Sequence, residues 1–248
     1  MKKLLYISVL LIAFVSCKNE AKKELKEEVK FPSELAKVFE KHGGLNKWKA
    51  TRTLSFNKGE ESHTTDLWTR KAVVQAPKYS LGFDGDSVWL AQKEEKAYKG
   101  NPTFYYNLYF YFYAMPFVLA DDGIIYEKTD DLVFEGKKYP GFKISYKANV
   151  GTSPDDNYFI YYNPETYQME WLGYTVTYFS KKVSDRISLI KYHDWNSVNG
   201  LILPKAITWY KKGEDGMPTE PRGPATEFTL ATASNKSLKD TFYQKPTE

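Results

Sequence analysis

Cysteine and histidine are scarce in this chain of 248 residues, which has one Cys and three His. A single cysteine excludes an internal disulfide framework and any zinc site that depends on several cysteine ligands. Charge of one sign is not in excess either, since 35 basic residues are balanced by 31 acidic ones and the formal net charge is +4. This balance does not fit nucleic-acid binding on charge alone, and we expect no nucleic-acid partner.

Sequence signatures of catalysis are also missing. The chain has no Gly-x-Ser-x-Gly nucleophile motif and no glycine-rich phosphate loop between a strand and a helix. Aspartates beside turn residues commonly bend or cap the chain. Three carboxylate pairs have that setting: Asp121-Asp122, Asp130-Asp131 and Asp155-Asp156. A glycosidase dyad stays open, because the separation of these groups cannot be read from sequence.

The three histidines do not predict a metal site. His42 precedes two glycines, where a histidine can bond to the last carbonyls of a helix. On a strand, His63 and Asp66 point to opposite faces, as do His193 and its acidic neighbour. A site that joins His63 and His193 across the sheet is an alternative, but no third ligand is indicated. We expect no catalytic residue, metal or cofactor; a hydrolase pairing one of these histidines with an acid in a polar cleft is the less favoured hypothesis.

Aromatic residues, in contrast, are abundant, with 20 Tyr, 15 Phe and 6 Trp. Aromatic side chains favour strands, and after Ala50 the hydrophobic pattern has a period of two. Turn motifs such as Asn199-Gly200 separate short apolar segments, which predicts antiparallel hairpins. The predicted strands are 51–57, 63–76, 78–84, 86–92, 94–99, 124–134, 138–147, 156–163, 167–180, 185–196, 201–211 and 225–234. Residues 213–224 are predicted to form a surface loop.

Helix signals are few. Pro32 and Ser33 open a segment that Gly43-Gly44 ends, and 45–49 predict a further short turn.

Residues 101–120 form the third helical candidate. Asn101 can cap a helix that Pro102 begins, and Pro116 must end or kink it. A strand is the alternative, because Tyr and Phe favour strands. Since strand residues 158–162 are apolar on both faces, we expect the aromatic segment to cover the second face of the sheet.

Residues 1–16 are typical of a secretory signal peptide. Two lysines precede an apolar run of 12 residues from Leu4 to Val15, which is too short for a hydrocarbon core of about 30 Å. The run Phe14-Val15-Ser16-Cys17 resembles a bacterial lipobox, which implies cleavage by signal peptidase II and acylation of Cys17. Acyl chains at that position would hold the protein on a membrane. An ordinary signal peptide with an incidental cysteine is the alternative.

Residues 17–30 are predicted to be the lipidated cysteine followed by a charged tether. Residues 18–30 carry five Lys and four Glu and cannot bury enough apolar surface to fold alone. A short exposed helix is the alternative. The sequence Lys18-Asn19-Glu20 resembles in part the export signal of Bacteroidota surface lipoproteins, which implies exposure at the cell surface. No linker divides residues 31–248, so we predict a single β domain there.

The order of the motifs carries a family resemblance. His42-Gly43-Gly44 is followed by Trp48 and a strand, the aromatic segment comes in the middle, and Tyr161-Tyr162-Asn163-Pro164-Glu165-Thr166 and Asn199-Gly200-Leu201-Ile202-Leu203-Pro204 follow. This arrangement resembles the uncharacterised Bacteroidota lipoproteins of the LolA/LolB-like superfamily of lipoprotein localisation factors, over roughly residues 32–234. The resemblance implies a mainly β fold, a single strongly curved antiparallel half-barrel of about eleven strands with a few covering helices. Relatives with known roles carry lipids or lipoproteins in its apolar hollow.

The sequence therefore predicts a lipoprotein that is a monomer and not an enzyme. We expect it at the bacterial outer membrane, on the periplasmic face or the cell surface, with a lipid or another apolar or amphipathic ligand in the hollow. The residues expected to line that cavity are Trp68, Phe83, Trp89, Tyr105, Tyr109, Phe112, Met115, Phe117 and Tyr161. The alternative is a glycan-binding or protein-interaction module at the surface, with exposed indoles as sugar platforms; its candidates are Trp68, Trp89, Trp171 and Trp209.

Overall fold

The computed structural model describes residues 31–121, 123–146, 156–178 and 186–247. The predicted signal peptide, Cys17 with its tether, Asp122 and Asp155 lie outside the described residues. In the part of the chain that is described, no helix has the length and apolar character needed to cross a membrane.

Six strands from the two ends of the described chain form the first sheet. Strands are numbered in chain order, and these are β1 (Thr53–Lys58), β2 (Glu61–Asp66), β3 (Ala72–Gln75), β4 (Tyr79–Phe83), β5 (Val88–Gln92) and β14 (Thr229–Ser234). Their hydrogen-bonded order is β14-β1-β2-β3-β4-β5, with antiparallel pairing. The pairs run from Thr53↔Ser234 to Asn57↔Thr229 at the β1–β14 edge, so the last strand lies against the first.

The second sheet is built from the middle of the chain. Its strands are β6 (Ile124–Phe134), β7 (Lys137–Tyr146), β8 (Tyr158–Tyr162), β9 (Met169–Tyr174), β10 (Ser188–Val198), β11 (Leu201–Lys212) and β12 (Pro218–Pro221), and the short β13 (Thr226–Glu227) also pairs with β11. The order β12-β11-β10-β9-β8-β7-β6 follows the chain, because each connection is a hairpin between antiparallel neighbours.

The predicted fold class is confirmed: the protein is mainly β, with curled antiparallel sheet and a few covering helices. Hydrogen bonding divides the strands between two sheets. Both sheets bury side chains in one large cluster, to which Phe56 of β1 and Ile160 of β8 both belong. The concave apolar side expected from two-faced strands is therefore the surface on which the helices pack.

The N-terminal helices pack where the sequence predicts them. Helix α1 (Ser33–Lys41) buries Leu35, Val38 and Phe39, and α2 (Leu45–Ala50) buries Trp48. Gly43, with φ +107°, joins them at a point where a Cβ atom would overlap the carbonyl oxygen of Gly200. Glycine is therefore required both by the left-handed backbone and by the close approach of the β10–β11 turn.

Residues 101–120 are helical but broken into three pieces. They are α3 (Pro102–Tyr105), α4 (Leu108–Tyr113) and a 3₁₀ helix over Phe117–Ala120. Asn101 caps α3 as predicted, since its side chain accepts a hydrogen bond from the Phe104 N–H. The last helical residue of α4 lies before Pro116, which fits the expected stop. The Tyr192 hydroxyl of β10 donates to the Phe112 carbonyl at 2.8 Å and ties α4 to the second sheet.

Two smaller apolar clusters lie outside the main core. One, which includes Trp171, Phe134 and Tyr210, involves strands of the second sheet alone. The other joins Val73 and Trp89 of the first sheet to Tyr243 of the C-terminal 3₁₀ helix (Asp240–Tyr243). The Trp89 indole N–H donates to the Tyr243 carbonyl at 2.8 Å, so the end of the described chain covers one side of β5.

Two strand predictions and one loop prediction were wrong. Predicted strand 63–76 is the β2–β3 hairpin, because the Asp66 carboxylate accepts the N–H groups of Trp68 and Thr69 and turns the chain. Predicted strand 94–99 forms bends and turns without a ladder partner. Residues 213–224, predicted as loop, contain β12, which pairs with β11 despite its prolines because it lies at the sheet edge.

Candidate binding cavity

A cavity of about 750 Å³ opens between the aromatic segment and the second sheet. Its volume lies within the range of small-molecule binding sites. One wall comes from α3, α4 and the residues beside them, and the other comes from the ends of β7, β8, β9 and β11. More than half of the lining side chains are aromatic: Phe104, Tyr106, Tyr109, Tyr111, Phe112, Tyr146, Tyr158, Tyr174, Tyr178 and Trp209.

Interlocking rings fix the apolar part of this wall. The Phe112 ring lies 5.3 Å from that of Tyr174 and 5.7 Å from that of Trp209, with the Tyr109 ring 6.2 Å away on the other side. The Trp209 indole N–H donates to the Tyr174 hydroxyl at 2.9 Å. Because its only polar atom is engaged there, Trp209 offers a carbon surface to a guest.

Charged groups line another part of the wall. Arg70 Nη2 lies 2.8 Å and 2.6 Å from the two carboxylate oxygens of Asp121. The Asp156 carboxylate accepts the Thr177 N–H at 2.6 Å. The lining is therefore amphipathic, with aromatic carbon in one part and ionised groups in another.

A tight turn positions Arg70. Asp66 accepts two backbone N–H groups of the turn, and its carboxylate also binds Arg52 Nε at 2.6 Å. Burial alone would raise the pKa of Asp66, but the hydrogen bonds from Thr69, Arg52 and Trp68 outweigh it and lower the pKa. Arg70 has φ +60°, an uncommon backbone conformation for a side-chain-bearing residue, and the surrounding hydrogen bonds hold it.

A partly buried carboxylate, Glu61 of β2, links the aromatic segment to the first sheet. It accepts hydrogen bonds from the hydroxyls of Tyr105, at 2.7 Å, and Tyr79, and it lies 2.7 Å from Lys58 Nζ and 3.3 Å from His63 Nε2. Burial alone would raise the pKa of Glu61, but these four partners hold it well below its usual value. Tyr105 belongs to α3, so this bond fixes the helical segment beside the cavity.

The histidines do not meet in one site. His42 is fully buried between α1, β11 and β9, and His63 stacks on Phe56 with ring centroids 4.9 Å apart. His193 bonds to the Thr208 hydroxyl at 3.0 Å on the second sheet. His63 is within hydrogen-bond reach of Glu61, but neither lines the cavity. Among the described residues, no group of three or more His, Cys, Asp or Glu side chains could hold a metal ion.

The sequence-predicted cavity residues are placed in several environments. Tyr109 and Phe112 line the cavity, and Tyr105 lies next to them on the Glu61 cluster. Four others lie elsewhere in the packing: Phe83 against Tyr106, Trp89 against the C-terminal 3₁₀ helix, and Met115 and Phe117 fully buried in the main core.

The last two predicted residues lie away from the cavity. Tyr161 packs in the Trp171 cluster. Trp68 is 63% exposed, with the Arg52 guanidinium over its ring. Of the four tryptophans named as sugar platforms, Trp209 lines the cavity, while Trp89 and Trp171 are buried.

Sequence reasoning did not select Arg70, Tyr146, Tyr158 or Tyr174 as cavity residues. Each is distant in sequence from the aromatic segment, and only strand pairing brings it there. One signal was available: β7, β8 and β9 all carry a tyrosine at the end that faces α4. Tyr158 pairs with Tyr174 in the β8–β9 ladder, which places these rings side by side.

The fold and the cavity define a mainly antiparallel β protein with an amphipathic cavity. The chain belongs to the family of unknown function DUF6503, whose signature matches residues 46–217. No curated protein matches the chain.

Similar solved structures have low sequence identity to this chain. A LolA superfamily protein from Nitrosomonas europaea has a TM-score of 0.42 and 9% identity, covering 84% of this chain and 96% of its own. A DUF1329 family protein from Desulfovibrio piger has a TM-score of 0.47 and 9% identity, covering 84% of this chain and 95% of its own. The fold is therefore described from the strand pairing of this chain and not from its similarity to these structures.

Proposed function

We propose that this protein binds an apolar or amphipathic small molecule, of which lipids are one class, in the aromatic cavity. The observation that carries the proposal is an opening of about 750 Å³ lined mainly by rings, within a domain whose other apolar clusters are closely packed. Burial of apolar ligand surface contributes roughly 25 cal/mol per Å². A guest that buries about 250 Å² of carbon would gain about 6 kcal/mol before the cost of immobilisation.

The same proposal includes a place in the cell envelope. Cys17 would be acylated after removal of residues 1–16, and residues 18–30 would hold the domain away from the outer membrane. The support is the lipobox-like sequence and the composition of the tether. Metabolic labelling with a palmitate analogue tests it, since a Cys17→Ser variant should lose both the label and membrane association. Equal labelling of both proteins would contradict the anchor.

The role is binding or transport, not catalysis. Its support is the cavity itself: the partly buried carboxylate–histidine contact described above, between Glu61 and His63, lies outside the lining.

Binding can be measured with N-phenyl-1-naphthylamine, an uncharged fluorescent probe, on the full chain carrying Cys17→Ser. Leu108 lines the cavity from α4, so Leu108→Trp should fill part of the opening and weaken probe binding by about tenfold or more. The matched control is Leu230→Trp, because Leu230 is 78% exposed and is not a lining residue. Failure of the unmodified cavity to bind the probe, or equal binding by both variants, would overturn the proposal.

A further inference from the structure

We infer that the guest is an uncharged amphiphile whose head carries hydroxyl or ester oxygens, in preference to a free fatty acid or a plain hydrocarbon. This inference rests on the proposed function and adds the chemical class of the ligand. It follows from three properties of the lining: unpaired phenol groups, a cation already engaged by a carboxylate, and a separate carbon surface.

Most phenol hydroxyls of the cavity are not engaged by the part of the protein that the structure describes. Some hydroxyls outside it are engaged: those of Tyr79, Tyr126 and Tyr192 each donate to a protein oxygen. On the lining, five tyrosine hydroxyls make no hydrogen bond with any described residue, yet their oxygens are not sealed in the protein: Tyr106, Tyr109, Tyr111, Tyr146 and Tyr158. A guest that covers these hydroxyls removes them from water, so one that offers oxygen atoms as partners fits this wall better than an alkane.

These phenols remain protonated and neutral. Burial is the largest cause that raises the pKa of Tyr146, and the nearby Tyr111, Asp121 and Asp156 raise it further, against the opposing effect of Arg70. Burial likewise raises the pKa of Tyr158. A protonated phenol can donate to an ester carbonyl or accept from a hydroxyl, so it can bond to either kind of uncharged head.

The charges of the lining do not favour an anionic head. Within the described lining, Arg70 is the one cationic side chain, and its Nη2 is bonded to both oxygens of Asp121. Arg70 Nη1 is sealed in the protein and does not reach the cavity surface. A carboxylate guest would have to displace Asp121 from Arg70 and would lie near Asp156 as well. An uncharged head needs neither rearrangement.

The hydrocarbon chain of such a guest would lie on a separate, apolar part of the lining. Leu108, Phe112 and Trp209 present carbon to the opening, since the Trp209 N–H is bonded to Tyr174. An amphiphile can therefore lie with its chain along these side chains and its head against Tyr146 and Tyr158.

Two ligands with the same chain test the inference, namely 1-monolauroylglycerol and laurate at pH 7.5. Each is titrated against N-phenyl-1-naphthylamine bound to the full chain carrying Cys17→Ser. We expect the glycerol ester to displace the probe at a concentration at least about tenfold lower than laurate. Laurate displacing the probe equally well or better would overturn the inference while the proposed function stands. Failure of both ligands and of the probe would overturn both.

Variants test whether the preference for the glycerol ester over laurate depends on the tyrosine hydroxyls. The double variant Tyr146→Phe/Tyr158→Phe keeps the rings and removes two hydroxyls, and the preference should fall to less than about threefold. Tyr210→Phe is the matched control, because Tyr210 belongs to the Trp171 cluster away from the cavity. Probe affinity reports whether each variant is folded. A preference that is unchanged in the double variant, with the probe still bound, would contradict the role given to these hydroxyls.

Discussion

His42 should make the stability of this protein depend on pH, with a loss that begins above the range in which carboxylates titrate. The ring is fully buried, with Nδ1 2.9 Å from the Ile202 carbonyl oxygen. Since a carbonyl can only accept, Nδ1 must carry the proton. Nε2 therefore accepts from the Met169 N–H at 3.2 Å and from the Gln168 side-chain amide at 2.7 Å. A second proton on the ring would place a donor against these two donors.

The expected magnitude follows from linkage between protonation and folding. Burial is the main cause that lowers the pKa of His42 from 6.5 to about 4, and the bond to Ile202 opposes it only in part. Because the folded-state pKa lies below the unfolded one, the stabilisation is complete above pH 6.5 and is lost as the pH falls toward 4. For a folded pKa of about 4, the loss is about 2 kcal/mol at pH 5 and about 3 kcal/mol at pH 4.

Urea unfolding followed by tryptophan fluorescence between pH 7.5 and 4 measures this loss. His63 and His193 also have lowered pKa values, in both cases chiefly through burial. They too contribute to the pH dependence of stability, so variants at position 42 are needed to isolate the contribution of His42. His42→Asn can keep the bond to Ile202, and His42→Gln can keep the bond to Met169, but neither titrates. Both should be less stable than the parent at pH 7.5 and should lose about 3 kcal/mol less between pH 7.5 and 4. Parallel losses in parent and variants would refute the reasoning.

Two further predictions concern stability. Gly43→Ala should cost about 3 kcal/mol or more in the free energy of unfolding, because the added methyl overlaps the β10–β11 turn. Gly59→Ala, with φ +57° and no atom near the new Cβ, should cost about 1 kcal/mol. Similar costs for the two variants in urea unfolding would contradict the packing argument. Tyr105→Phe removes a donor to the partly buried Glu61 and should cost about 1.5–2 kcal/mol. Tyr79→Phe removes an equivalent bond to Glu61 within the first sheet. Only Tyr105→Phe should therefore increase amide exchange in α3 and α4. Equal amide exchange in the two variants would exclude the proposed link between the sheet and the helix.

Local signals in the sequence predicted most of the architecture. The period of two after Ala50 and the turn motifs gave an antiparallel protein, and Asn101 with Pro102 gave the start of α3. Predicted strand 63–76 failed because the apolar pattern continues through a turn that Asp66 creates by accepting two N–H groups. A single aspartate inside a run of strand-forming residues does not reveal that geometry.

The binding cavity was predicted less well, for a physical reason. An apolar aromatic residue satisfies the same sequence pattern whether it fills a core or lines an opening. Phe112 and Met115 are both apolar and three residues apart, yet Phe112 reaches the cavity and Met115 is fully enclosed. The opposite wall depends on pairing between β7, β8 and β9, so Tyr146, Tyr158 and Tyr174 gather only after the second sheet has formed.

The pairing of β1 with β14 has a consequence for biosynthesis. A ribosome releases β1 to β5 early, but the edge partner of β1 and the Tyr243 cover of Trp89 follow the whole second sheet in sequence. Until then, the nascent first sheet has an unpaired edge and an uncovered indole, both of which are prone to non-native association. The first sheet therefore becomes complete only after every strand of the second sheet has been synthesised.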